Sequence, residues 1–170
     1  MYHHMFGQFK KQLGQLDKWL DATVAFAQSK SIDPNLFLTF RIAPDQFALT
    51  RQIQIACDTA KLGASRLTGK EAHSHNDAET TIEELKARVA SVYNYLDGFT
   101  AADFAHSATR EISQPRWEGK VMSGENYFVE HVVPNFFFHL SHTYAILRHN
   151  GVPIGKKDYL GQLTQVAPKG

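Results

Sequence analysis

An all-α four-helix bundle is what this sequence predicts. Three observations carry that expectation. Four long stretches repeat apolar residues every three or four positions, prolines and glycines fall between them, and the helical period lapses only in a short run before the last stretch. With 170 residues and 43% hydrophobic content, the chain has the length and apolar mass for one domain around one core. Charged residues make up 21% and the formal net charge is +1, a balance that argues against a nucleic-acid or anionic-membrane partner.

Met5, Phe9, Leu13, Leu16, Leu20 and Val24 line one stripe and predict a first helix over residues 2–29, broken at Asp33-Pro34. Leu36, Phe37, Leu38, Phe40 and Ile42 are too close to the next proline for a long helix and read as a loop packed across the bundle. A second helix is expected over 44–67, with Pro44 first, Thr68-Gly69 at its end, and Phe47, Ile53, Ala56, Ala60, Ala64 and Leu67 inward. The third, over 80–99, buries Ile82, Leu85, Val89, Val92, Leu96 and Phe99, with Glu84, Lys86 and Arg88 off the stripe. Thr80 and Glu83 have the spacing of a capping box at its start.

Between Ser107 and Gly124 the period disappears. Glu111-Ile112-Ser113 and Lys120-Val121-Met122 are expected to pair as a short β-hairpin or irregular insertion. A last helix over 125–150 carries Phe136, Leu140, Tyr144 and Leu147 inward, with a kink or a fresh start at Pro134. Residues 151–170 read as an extended tail. No apolar run approaches the roughly 20 residues of a membrane span, and Met1 to Met5 is too polar for a secretory signal, so a cytoplasmic location is expected.

Nine histidines draw the chemical question. His139 and His142, three residues apart, share one face of the last helix and lie near enough to share a metal. His131, His142 and His149 follow a stripe, but their axial separations of roughly 16 and 10 Å rule out one shared ion; a polar margin or subunit contact is the simpler reading. On the second helix Gln54 and Asp58 share a face. Asp58 either lies with Lys61 on the solvated side or pairs with His139 in the bundle centre, because an inward carboxylate needs a partner. The single cysteine, Cys57, falls in an apolar helical stretch and reads as a small buried hydrophobe. Glycine-rich phosphate loops, C-x-x-C and G-x-S-x-G are absent, and His3 and His4 enter no site.

The run Pro134-Asn135-Phe136-Phe137-Phe138-His139, then Tyr144 to Val152 and Ile154-Gly155-Lys156-Lys157-Asp158-Tyr159-Leu160, resembles the bacterial DUF1993 family. Ala43-Pro44-Asp45, Gln52 to Lys61 and Glu79-Thr80-Thr81 with Glu84-Leu85 agree with it. The resemblance implies a DinB/YfiT-like bundle with long crossovers, in a superfamily whose usual site joins one second-helix histidine to an H-x-x-x-H pair on the last helix. This chain has no histidine from Pro44 to Leu67, and its last-helix pair is H-x-x-H.

Two functional expectations follow. In the first, the bundle is a homodimer that binds a small molecule or serves structurally, with Gln54, Asp58, Asn135 and His139 as ligand-pocket candidates and no cofactor. In the second, it is a divalent-metal hydrolase or thiol transferase. There His139 and His142 would hold zinc or nickel and Asp58 or Gln54 would supply an oxygen.

Overall fold

The computed structural model describes residues 1–168. The stripes fold into α1 (Tyr2–Ser29), α2 (Leu49–Thr68), α3 (Ile82–Asp97), a short α4 (Gly124–Asn126), α5 (Val133–His149) and α6 (Lys156–Leu160). A two-stranded antiparallel ribbon, β1 (Glu111–Ser113) with β2 (Val121–Ser123), precedes α4. The bundle is built from α1, α2, α3 and α5: α2 packs on α5 and on α3, and α1 packs on α3. No helix among the described residues is long and apolar enough to cross a membrane.

The core follows the periodicity. Phe9, Leu13, Leu16 and Leu20 of α1 are fully buried, with Ile53, Ala56, Ala60 and Ala64 of α2 and Leu85, Val89 and Val92 of α3. Phe9 stacks on Phe136 with ring centroids 4.2 Å apart, tying the first helix to the last. Met5, Val24 and Tyr144 pack at the edge of this core.

The boundaries depart from expectation where tertiary contacts intervene. α2 starts at Leu49, not Pro44. The Leu49 amide donates to Phe40 O (2.9 Å) and the Thr50 hydroxyl to Leu38 O (3.1 Å), which hold residues 44–48 as a loop. Phe47 therefore lies outside the helical period and is exposed instead of inward. The apolar connector forms a 3-10 helix, Pro34–Thr39, that buries Phe37 and Leu38. The capping box of α3 is one residue later than its expected place. Thr81 Oγ1 accepts from the Glu84 amide and Glu84 accepts from the Thr81 amide, so the helix spans Ile82–Asp97.

The ribbon pairs Glu111 with Ser123, Ile112 with Met122 and Ser113 with Val121, one residue beyond the expected second strand. Pro134 produces neither a kink nor a clean restart. Residues Tyr127–Val132 form a π-helical turn, in which the Val133 amide reaches Phe128 O, five residues back. The wide turn brings the chain to Pro134, which has no amide hydrogen to donate, at the start of α5. The tail is not wholly extended: Val152 and Ile154 are buried, and α6 docks on α1, where Trp19 stacks on Tyr159 at 5.6 Å and donates to Asp158 O. Positions 169–170 of that tail lie outside the described residues.

Gly124 joins β2 to α4 where the chain crosses Ser107. A Cβ there would fall 1.9 Å from Ser107 O, a backbone atom that cannot rotate away. Gly124→Ala is therefore expected to cost about 1–3 kcal/mol of stability by overpacking, read from urea unfolding. A neutral substitution would mean that the ribbon is not seated on the end of α2.

Candidate functional site

Two buried polar assemblies flank α2. The first is a charge cluster under the 69–81 strap. Arg88, with a side chain only 1% exposed, reaches Glu79 Oε1 (2.8 Å), Asp77 Oδ1 (2.7 Å) and Asp58 Oδ2 (2.9 Å). The Asp58 contact is a charge pairing, not an aligned hydrogen bond. Gln54 donates to Glu79 (2.8 Å) and Arg51 donates to Gln54 (3.1 Å). Burial raises the Asp77 and Glu79 carboxyls, but hydrogen bonds from Arg51 and Arg88 to Asp77, and from Arg88 and Gln54 to Glu79, outweigh it and hold both below their ordinary values.

Lys61, 2% exposed, lies 3.1 Å from Asp58 and 2.7 Å from His75 Nδ1. An ammonium only donates, so His75 Nδ1 bears the lone pair and its Nε2–H faces His73 Nε2 at 3.2 Å. Burial, then Lys61 and Arg88, hold the His75 imidazole below its ordinary pKa. Cys57 is buried beneath this cluster and burial pushes its thiol up to about 12, which removes it as a nucleophile.

The second assembly is His139 with Gln52. His139 Nδ1 lies 2.7 Å from Gln52 Oε1, and Gln52 Nε2 donates to Phe47 O (3.1 Å). The amide orientation is thereby set, Nδ1 carries the hydrogen, and Nε2 keeps the lone pair. Burial, then His142 and Arg51, push His139 down to about 4. It lines a cavity of about 230 Å³ with Asp45, Gln46, Phe47 and Phe138. His142 is half-buried, and its Nδ1 lies 2.8 Å from Phe138 O.

A larger cleft, of about 300 Å³, opens between α2, the turn inside the ribbon and the π-turn. α2 contributes Asp58, Thr59 and Arg66 to it, and Ile55 and Leu62 as apolar wall. The ribbon turn adds Gln114, Pro115 and Arg116, the π-turn adds Tyr127 and His131, and α5 adds Asn135. The π-turn sets the Tyr127 and His131 rings 5.4 Å apart. Arg66 donates to Tyr127 OH (2.9 Å) and Asn135 to Thr59 Oγ1 (2.6 Å). Arg116 Nη2 lies 3.2 Å from His131 Nε2, which must accept because a guanidinium only donates. Burial, then Arg116 and Arg66, hold His131 below its ordinary value.

These positions redistribute the residues expected from sequence. Asp58 meets neither His139 nor open solvent alone: it faces Lys61 and Arg88, because both cations of α2 and α3 turn inward beside it. Gln54 belongs to the same cluster. Asp58 and Asn135 line the larger cleft, whereas His139 lines the smaller cavity. Arg88, expected off the apolar stripe, is buried. It sits three residues after Leu85 and four before Val92, a helical spacing that places it at the core's edge. Arg66, Arg116, Gln114 and the inward use of His131 escape sequence reasoning because the ribbon turn and the π-turn bring them together. Among the described residues, no three His, Cys, Asp or Glu side chains come together in a way that could hold a metal ion.

The fold has a close relative. Over 98% of both chains it matches a crystal structure, at 1.83 Å resolution, of a DinB family member protein from Shewanella denitrificans, with TM-score 0.93 and 50% sequence identity. Bundle and relative together define a DinB-like helical fold. A family model described as a domain of unknown function, DUF1993, matches residues 1–160, and the chain belongs to that family. No curated protein matches it.

Proposed function

We propose that this protein is a cytoplasmic, homodimeric small-ligand-binding bundle that holds its ligand between α2 and the π-turn and works without a cofactor. One observation carries the reading: donors and acceptors from three segments, α2, the ribbon turn and the π-turn with the start of α5, converge on one cleft with apolar walls. The dimer part rests on Phe47 and Phe138, which are 55% and 53% exposed and line one cavity.

Protein-observed NMR with a panel of small aromatic fragments at millimolar concentration tests the cleft. Amide shifts clustered at Thr59, Tyr127 and Asn135 are expected, and a folded protein whose cleft amides do not move for any fragment would overturn the reading. Light scattering after size exclusion is expected to give a dimer mass that Phe138→Asp converts to a monomer. A monomeric parent protein removes the dimer from the proposal.

A second reading, a zinc- or nickel-dependent hydrolase or thiol transferase, draws on one feature. His139 and His142 both turn Nδ1 to an oxygen, Gln52 Oε1 and Phe138 O, as orienting partners do for metal-ligating imidazoles. Elemental analysis of untagged protein decides it. Stoichiometric metal that is lost in His139→Ala would favour this reading over the first, and trace metal in both proteins would end it.

A further inference from the structure

We propose that the cleft between α2 and the π-turn is an oxyanion site, and that its ligand is a small molecule with a carboxylate or phosphate head on a short apolar body. This deepens the cleft reading above and rests on it. Arg66 and Arg116 both line the cleft, and neither forms an ion pair with a carboxylate among the described residues. Each guanidinium is held by a neutral group instead, Arg66 by the Tyr127 hydroxyl and Arg116 by His131, which leaves the positive charge of both uncompensated.

The one carboxylate in the lining, Asp58, is already faced by Lys61 at 3.1 Å and Arg88 at 2.9 Å, so it does not cancel that charge. An independent observation agrees. Gln114 is 8% exposed and lines the same cleft, yet its Nε2 donor has no partner in the protein. A buried amide donor without an acceptor is costly unless a ligand supplies one. An oxyanion accepts from Gln114 and from both guanidiniums, where a cation would be repelled. Ile55, Leu62 and Pro115 form the wall against which an apolar body would pack.

Isothermal titration calorimetry of the whole protein with phenyl phosphate, benzoate and neutral benzyl alcohol tests this. The two anions are expected to bind, with benzyl alcohol at least about tenfold weaker, the scale of one charge-assisted hydrogen bond. The tighter of the two anions identifies the head group. Arg116 is exposed on the ribbon turn, so Arg116→Ala is expected to fold normally by circular dichroism and to weaken anion binding about tenfold. Arg66→Lys, which keeps the charge and loses the fork, is expected to weaken it less. Benzyl alcohol binding as tightly as the anions, with no effect of Arg116→Ala, would overturn the oxyanion assignment and leave the cleft as a ligand site. Failure of all three probes on folded protein would overturn the assignment and count against the cleft as well.

Discussion

Replacing Arg88 by alanine is expected to destabilise the fold by about 3–5 kcal/mol, the usual cost of removing one partner from a buried ionic cluster. The guanidinium is the shared partner of Asp58, Asp77 and Glu79, which come from α2 and from the strap before α3. Without it Glu79 has no cation and keeps the Gln54 amide and a backbone hydrogen bond, and Asp58 keeps Lys61 as its nearest cation. The strap then loses its anchor on α3. Urea unfolding should show the loss, with Tm lower by on the order of 10 °C. Adding Glu79→Gln to Arg88→Ala should recover part of it, because one uncompensated carboxylate is removed. A cost below about 1 kcal/mol for Arg88→Ala would show that the cluster is solvated in solution.

Stability is also expected to fall steeply on the acid side of neutrality, chiefly through His139. Its folded-state pKa is about 4 against an ordinary 6.5, so the unfolded chain takes up the proton first. Between those values the unfolded state binds more protons, and stability rises with pH. The contribution is fully present above about 6.5 and is lost as pH falls toward about 4, amounting to about 3 kcal/mol. His75 and His131 are shifted in the same direction and steepen the slope. At lower pH the depressed carboxyls of Asp77 and Glu79 add a further loss as they protonate. His139→Asn keeps a donor for Gln52 and removes the titration. Unfolding curves from pH 4 to 7.5 should therefore be flatter for His139→Asn than for the parent. Equal slopes in the two proteins would clear His139 of the effect.

The chemistry of the two assemblies was legible in unequal degree. His139 is singled out by its place beside the aromatic stripe, and its polar partner was expected on α2. That partner is Gln52 and not Asp58, because Gln52 is fixed by the Phe47 carbonyl of a loop whose shape no helical period describes. An inward Asp58 needs a partner, and two cations on inward positions of α2 and α3, Lys61 and Arg88, meet the need. Lys61 and Arg88 look like surface residues in the sequence because charge is read there as exposure. Arg88 is buried against Asp77 and Glu79, which arrive from the strap, and Lys61 against Asp58 of its own helix and His75 of the strap.

The four helices, their inward stripes and the ribbon before the last helix can be read directly along the chain. They arise from local causes: a 3.6-residue period, breakers between the stripes, and a hydroxyl–glutamate pair at the start of α3. The family resemblance lies in contiguous motifs and was equally accessible. What needed the folded molecule was every feature that joins distant segments. The loop before α2 is held by Phe40, the π-turn resolves the lack of an amide hydrogen at Pro134, and Arg66, Gln114, Arg116 and His131 meet from three elements up to 65 positions apart. Periodicity reports which side of an element is dry. It carries no information about which polar groups of two elements will share the space between them, because that depends on how the elements cross.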